Sequence, residues 1–495
     1  METQITVAEL IRSSGVAFGT SGARGLVLAM TDRVCHGYTI GFLQMLAEEG
    51  AWVPGGRVAL AGDLRPSTPD ILVACAQAIR DLGGQPVYCG LVPTPALALW
   101  AFRERIPSLM VTGSHIPDDR NGIKFYRPDG EILKADEPGI LRQVIRTCAT
   151  DWAGDRRSAP LPLPPAIDIT PAYVARYVDF FGPKALSGLR IGVYEHSAVG
   201  RDVLVRILEA LGAEVLRLGR SERFIPVDTE AVRAEDVALA RAWAAEYALD
   251  AIASTDGDSD RPLLADHKGE WLRGDVLGVL CARSLGAQTV VTPVSSNTVV
   301  EKCGAFDRVV RTRIGSPYVI SAMDEGLAEG AGIVCGYEAN GGFLLARDVA
   351  ADGRRLTALP TRDAVLPIIA ALVAARPGRL ADLIAALSPR TTHSDRLPDF
   401  APARRDALFD WLGAGEGAAR QARLDAAFGA IAGADLVGVD DTDGVRMTFA
   451  NGRIVHVRGS GNAPELRCYT EAESGAAAAA INRLVLDLVA ARFPA

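Results

Sequence analysis

Short apolar runs alternate with helix-period stretches three times along the chain. In the first series, Arg57 to Ala61 is an apolar run, and Pro69 to Leu82 places Ile71, Leu72, Cys75, Ile79 and Leu82 on one helical face. Pro86 to Cys89, a helix over Pro95 to Arg105 and the run Ser108 to Thr112 follow, ending in the polar loop Gly113-Ser-His-Ile-Pro117. The second series runs from Leu189 to Tyr194 through a helix at Arg201–Leu211, Glu214 to Leu218, a helix near Ala231–Tyr247 and Asp250 to Ser254. It ends in Thr255-Asp-Gly-Asp-Ser-Asp-Arg261. The third takes Thr289 to Val294, a helix near Asn297–Cys303, Arg308 to Thr312, a helix at Pro317–Glu325 and Gly332 to Cys335, ending in Gly336-Tyr-Glu-Ala-Asn-Gly-Gly342. Apolar runs alternating with helices predict βαβ units with parallel strands, and ligands gather at the carboxyl ends of such strands. Three polar, glycine-containing loops are thereby expected to face one cleft.

The rest of the chain reads differently. Ala159 to Pro165 is a proline-rich linker, and the stretch around Ser388–Pro398 breaks an alanine- and leucine-rich helix. From Leu436 onward come strand-like runs (Val445 to Phe449, Arg453 to Val457, Leu466 to Tyr469) and a long helix from Ser474, an α+β pattern. With 495 residues, 49% of them hydrophobic, the chain has material for several cores, and a disordered scaffold is excluded. The strongest apolar stretch, Ala364 to Ala375, is flanked by Arg362, Asp363 and Arg376 and interrupted by Pro367, so no membrane span is expected. The opening residues lack the basic and apolar regions of a secretory leader, so a cytoplasmic location is expected. A net charge of -8 argues against nucleic-acid binding. The eight cysteines form no Cys-x-x-Cys, which excludes a zinc or redox motif and a disulfide framework.

Four groups of residues carry candidate chemistry. Asp256, Asp258 and Asp260 set three carboxylates at alternate positions. A divalent cation relieves their repulsion, Mg²⁺ beside a phosphate suits so open a ligand set, and a solvated acidic turn is the alternative. An EF-hand is excluded, because Arg261 stands at its glycine position and His267 at its glutamate. Ser114-His115, followed by Asn121-Gly122-Ile123-Lys124, offers a hydroxyl nucleophile with His115 or Lys124 as base or phosphate-binding cation; ordinary loop residues are the alternative. Phe18-Gly-Thr-Ser-Gly-Ala-Arg-Gly25 and Arg458-Gly-Ser-Gly-Asn462 combine glycine, hydroxyl and guanidinium, equipment for a phosphate or merely capped turns. No lysine follows a glycine, which excludes a P-loop. Glu338-Ala-Asn-Gly-Gly342 offers a carboxylate and an amide to sugar hydroxyls, or forms a hairpin turn. Together these favour phosphoryl transfer on a phosphorylated polyol.

In this order the motifs FGTSGARG (18–25), VTGSHIPDDRNGIKFY (111–126), DGDSDR (256–261), YEANGG (337–342) and RGSGNAPELRCY (458–469) resemble those of the α-D-phosphohexomutase superfamily, most closely its bacterial phosphomannomutases. The resemblance implies an α/β molecule of four domains around a central active-site cleft, three with related mixed sheets flanked by helices and a C-terminal α+β domain. The expected boundaries are 1–160, 161–268, 269–388 and 389–495. It further implies that Ser114 carries a phosphoryl group, and that one Mg²⁺ per chain is held by Asp256, Asp258, Asp260 and the Ser114 phosphate. Arg24, His115, Lys124 and Arg261 would assist transfer. Glu338, Asn340 and Gly341 would read sugar hydroxyls, while Arg458, Ser460, Gly461, Asn462 and Arg467 would hold the non-reacting phosphate. The implied reaction interconverts hexose 6-phosphate and hexose 1-phosphate, mannose first, through a hexose 1,6-bisphosphate that also serves as activator. Glucose and (acetyl)glucosamine phosphates, or a catalytically silent sugar-phosphate binder, are the alternatives. The expected assembly is a monomer or homodimer. Three motifs depart from the family pattern. Ile116 stands where asparagine is common, Gly459 and Asn462 where proline and threonine are frequent, and Glu-Ala-Asn-Gly-Gly replaces the frequent Glu-x-Ser-Gly-His.

Overall fold

The computed structural model describes residues 2–19, 21–148, 152–376, 378–387, 390–459 and 465–494. They form two compact units, residues 1–290 with 315–383 and residues 291–314 with 384–495.

The first unit opens with a six-stranded sheet of spatial order Ala17–Phe18, Gly22–Leu26, Arg120–Tyr126, Ser108–Val111, Arg57–Gly62, Gln85–Leu91. Arg57–Gly62 runs parallel to both Gln85–Leu91 and Ser108–Val111, the βαβ core expected from the pattern. Arg120–Tyr126 then lies antiparallel to Ser108–Val111, because the connection Thr112–Asp119 is too short to hold a crossover helix. Helices Asp32–Glu48, Thr68–Asp81 and Thr94–Glu104 flank this sheet. Thr68–Asp81 starts on Pro69, whose missing N–H is not needed in a first turn, and buries Ile71, Leu72, Cys75 and Ile79. Tyr38, Phe42, Leu43, Leu60, Leu109 and Phe125 fill the core, each side chain contributing roughly 1.5–3 kcal/mol by leaving water.

The second sheet has the order Glu214–Arg220, Arg190–His196, Ala251–Thr255, Pro262–Ala265. Its first three strands are parallel and the last folds back antiparallel, pairing Thr255 with Pro262. The third series repeats this ending. Val334–Tyr337 turns back into Phe343–Leu345 with Tyr337 opposite Phe343, and Leu359–Asp363 pairs next to it. Each predicted polar loop is therefore the connection from a strand into an antiparallel neighbour, and Glu338–Gly342 is indeed a hairpin turn.

Pro367 does not interrupt its apolar stretch. It occupies the first turn of the helix Val365–Ala374, where the backbone N–H has no intrahelical acceptor, and that helix is buried almost throughout. Among the described residues no helix is long and apolar enough to cross a membrane. Seven described cysteines are free thiols, six of them buried.

The second unit contains the short helix Val299–Lys302 and an antiparallel sheet of order Thr391–Leu397, Leu466–Ala472, Ile454–Gly459, Val445–Phe449, Leu436–Asp440. Helices Pro402–Gly413, Gly417–Ala432 and Gly475–Arg492 cover one face, burying Leu408, Phe428, Met447, Val455 and Val485. Ser474 caps the last helix by accepting from Ala477 N, as its position predicts. The edge strand Thr391–Leu397 and the two helices after it leave little periodic signal: only Leu408 and Leu412 are buried in Pro402–Gly413.

Candidate active site

The loop after Ser108–Val111 is built around a buried arginine. Arg65 donates through Nε to Asp63 (3.1 Å), and through its terminal nitrogens to the carbonyls of Pro117 (2.7 Å), Arg120 (3.0 Å), Ser114 (2.9 Å) and Ile116 (2.6 Å). Thr112 Oγ1 donates to Asp63 Oδ2 (2.7 Å) and accepts from Ser114 N (2.7 Å). Gly113 lies against the guanidinium, where a Cβ would stand 2.6 Å from Cζ of Arg65. In this cradle Ser114 takes φ +57°, a left-handed conformation that a serine adopts only when its surroundings impose it.

The resulting direction of the hydroxyl is specific. Ser114 Oγ donates to Asp256 Oδ2 at 2.6 Å. Asp256, Asp258 and Asp260 are fully buried, and one carboxylate oxygen from each lies within 4.8 Å of the other two. Lys124 Nζ reaches Asp258 (2.6 Å) and Asp260 (2.5 Å), while Thr94 Oγ1 donates to Asp258 (2.5 Å). Asp258 Oδ1 and Asp260 Oδ1 are buried without a hydrogen-bond partner among the described residues. Buried carboxylate oxygens left unpaired are costly, and an all-oxygen cluster of this charge suits a hard divalent cation. The residues present fit a metal.

The electrostatics follow from burial and crowding. Desolvation, with Asp258 and Asp260 alongside, pushes the Asp256 carboxyl well above the usual carboxylate range. Burial acts the same way on Asp260, but Arg362, Lys124 and Arg261 outweigh it and hold this carboxyl far below that range. For Lys124, burial favours the neutral amine, yet Asp258, Asp260 and Asp256 keep it charged and raise its pKa. Arg261 Nη1 donates to His115 Nδ1 at 2.8 Å. Burial, reinforced by Arg261 and Arg24, lowers His115 to about 3, so the imidazole is neutral with its proton on Nε2. Asp228, turned by hydrogen bonds from the backbone of Glu230 and Ala231, opposes that shift. Arg24 pairs through its backbone with Gly122 on Lys124's strand, and its guanidinium has no hydrogen-bond or ion-pair partner among the described residues. Burial and the cations Arg261, Arg65 and Arg362 lower it to about 10, which leaves it charged.

In the third loop Glu338 is buried and Asn340 Oδ1 accepts from Gly342 N (3.0 Å). Gly341, at φ +89°, permits close approach: a Cβ there would lie 2.9 Å from Gly274 Cα and 2.7 Å from Pro262. Ser114, His115, Lys124, Arg24, Arg261, the three aspartates, Glu338, Asn340 and Gly341 thus all belong to the first unit. Arg458 and Arg467 belong to the second, paired across adjacent strands; Arg458 donates to Asp443 (2.9 Å) and Arg467 to Glu465 (2.9 Å). Ser460, Gly461 and Asn462 lie outside the described residues.

The sequence pattern passed over Asp63, Arg65, Thr94, Asp228 and Arg362. Asp63 and Arg65 follow directly on Arg57–Gly62, and that strand end was a usable signal. Arg362 lies within a strand, where no loop motif marks it.

Comparison with known proteins agrees with this geometry. Four models of phosphoglucomutase/phosphomannomutase domains match in chain order: alpha/beta/alpha domain I at residues 15–149, domain II at 172–269, domain III at 273–390 and the C-terminal domain at 416–488. A phosphomannomutase of Sinorhizobium fredii is 46% identical over 466 residues, covering 94% of this chain and 96% of that protein. A phosphomannomutase of Salmonella muenchen is 44% identical over 485 residues, 98% of either chain. The crystal structure of a putative phosphomannomutase from Thermus thermophilus shares the fold at a TM-score of 0.73 and 21% identity, covering 96% of this chain and 99% of that one.

Proposed function

Because this chain belongs to the phosphoglucomutase/phosphomannomutase family, we propose that it is an isomerase of the phosphomannomutase type, which moves a phosphoryl group between the 6- and 1-positions of a hexose, mannose first. The observation that carries the reading is the 2.6 Å contact of Ser114 Oγ with Asp256 inside the buried aspartate cluster. The proposal includes four domains, at 1–160, 161–268, 269–388 and 389–495. The buried free thiols fit a cytoplasmic enzyme.

In this reading Ser114 is the phosphoryl carrier. As the free hydroxyl oxygen of a hexose monophosphate attacks phosphorus, the P–O bond to Ser114 Oγ breaks and the sugar hydroxyl's proton ends on that Oγ. In the return step Ser114 Oγ takes the bisphosphate's other phosphoryl group and its proton ends on the freed sugar oxygen. The cradle of Arg65, Asp63 and Thr112 supplies positioning, which carries much of the acceleration in such transfers. Lys124, Arg261 and Arg24 offset charge on the transferring oxygens. His115, neutral and bonded to Arg261, offers an N–H rather than a second charge. Asp256, Asp258 and Asp260 would hold Mg²⁺, which when bound neutralises charge on the phosphoryl oxygens. Glu338 and Asn340 present an acceptor and an amide to sugar hydroxyls, and Arg458 with Ser460, Gly461, Asn462 and Arg467 would take the non-reacting phosphate. Hexose 1,6-bisphosphate would act as activator by charging Ser114.

A side-by-side coupled assay on mannose, glucose, glucosamine and acetylglucosamine 1-phosphates, with Mg²⁺ and bisphosphate, tests the proposal. Turnover with the highest kcat/KM on mannose 1-phosphate is expected. No turnover on any of the four would overturn the assignment, and a higher value on another sugar would replace mannose.

A further inference from the structure

Arg362 sits on the strand Leu359–Asp363 and is only 3% exposed. Its guanidinium joins parts of the site that are far apart in the chain. Nε donates to Asp260 (3.0 Å), Nη1 to Glu338 Oε2 (3.3 Å) and Ser316 Oγ (3.1 Å), and Nη2 to Ser21 Oγ (3.3 Å). Ser316 and Thr361 in turn donate to the two oxygens of Glu131, at 2.9 and 2.6 Å. One side chain therefore ties the aspartate loop to the turn that reads sugar hydroxyls.

It reaches that place because residue 342 is glycine. A Cβ at Gly342 would stand 2.7 Å from both Cγ and Cδ of Arg362 and 3.1 Å from its Cβ. The stem of Arg362 fills the space that a side chain at 342 would need, so any larger residue there displaces it. Among the described residues Glu338 accepts no other side-chain hydrogen bond, so Arg362 is the one polar side chain that orients its carboxylate there. The contact engages Oε2 and leaves Oε1 for a ligand. A carboxylate pinned in this way accepts a hydroxyl in one place; once released, it swings among rotamers and discriminates poorly.

We propose that Arg362 is a positioning residue that sets hydroxyl selectivity: seated over Gly342, it holds Glu338 in register with Asp260, so that the sugar is read at a fixed offset from the transferring phosphoryl group. The inference rests on the hexose-phosphate reading above and adds the residue responsible for discrimination. Lysine at 362 retains a cation but lacks the planar fork that serves Asp260 and Glu338 together.

The test compares the wild type, Arg362→Lys and Gly342→Ala on mannose 1-phosphate and its 2-, 3- and 4-deoxy analogues, reading kcat/KM for each, with circular dichroism to establish folding. The wild type is expected to reject at least one analogue. Both variants should relax that rejection tenfold or more, whatever the fall in absolute rate, whereas a merely structural role lowers all substrates alike. Equal rejection of the same analogue by wild type and folded Arg362→Lys would overturn the proposal, as would a wild type that rejects none of them. If Arg362→Lys does not fold, Gly342→Ala decides by the same ratio. A wild type inactive on every substrate would instead overturn the mutase assignment.

Discussion

Ser114 and Asp256, on loops that leave different sheets and 142 residues apart, meet through a 2.6 Å hydrogen bond. The contact joins a hydroxyl on a strained loop to a carboxyl that burial, with Asp258 and Asp260 alongside, keeps prone to hold a proton, and several consequences can be measured.

Replacing the hydroxyl tests the proposed carrier. Ser114→Ala should lower kcat by roughly 10⁴-fold or more in the coupled assay, since a missing nucleophile is not replaced by its neighbours. Retention of full turnover would remove Ser114 from the mechanism.

Asp256 sets the pH behaviour of the cluster. Its folded pKa is raised by burial, Asp258 and Asp260, so the stability it contributes is present below the unfolded value of 3.8 and is lost as pH rises through the folded pKa. A divalent cation bound there would take the proton's place. Mg²⁺ binding should release protons, and its affinity and its stabilising effect should both grow with pH. Calorimetry in two buffers of different ionisation enthalpy checks this; identical heats and a pH-independent affinity would refute it.

The series of runs and helices, and the polar loops at their ends, were legible in the sequence because hydrophobic periodicity is local. The ordered motifs mark Ser114, Lys124, the aspartates and Glu338 as parts of one site. What stayed hidden depends on partners remote in sequence. Arg65 matters because it meets four carbonyls between Ser114 and Arg120, and Arg362 because Asp260 and Glu338 converge on it. The resemblance implied mixed sheets, but hydrophobic periodicity alone did not mark the antiparallel return strands: Arg120–Tyr126 is buried along nearly its whole length, so RNGIKFY lacks the alternation of a half-exposed antiparallel strand.

Arg65 makes a further prediction. Arg65→Ala would leave Asp63 buried without its counter-charge and release the carbonyls that shape the serine loop. The expected cost is about 3–5 kcal/mol in stability, together with a fall in kcat even where the protein remains folded. Thermal melts and kinetics on the same sample measure both, and an unchanged kcat would contradict the cradle.

His196 gives an acid-side signature. Its Nε2 donates to the carbonyl of Thr255, at the head of the aspartate loop, and burial lowers its pKa to about 4. The unfolded chain therefore binds a proton that the folded chain does not between about pH 6.5 and 4, and stability falls as pH drops through that window by at most about 3 kcal/mol. His196→Gln should flatten this part of the melting-temperature profile; an unaltered slope would assign the acid sensitivity elsewhere.

Gly22 faces Lys124 in the strand register, and a Cβ there would fall 1.9 Å from the carbonyl oxygen of Ile123. Gly22→Ala should force these strands apart, move Lys124 from Asp258 and Asp260, and lower kcat at least about tenfold. Wild-type kinetics in this variant would show that the lysine's placement is unimportant.

The most direct measurement is phosphopeptide mapping of the purified protein after incubation with Mg²⁺ and labelled hexose 1,6-bisphosphate, followed by a chase with hexose 1-phosphate. The account predicts label on Ser114 that passes to the sugar during the chase. Label on another residue, or none under conditions of active turnover, would contradict it.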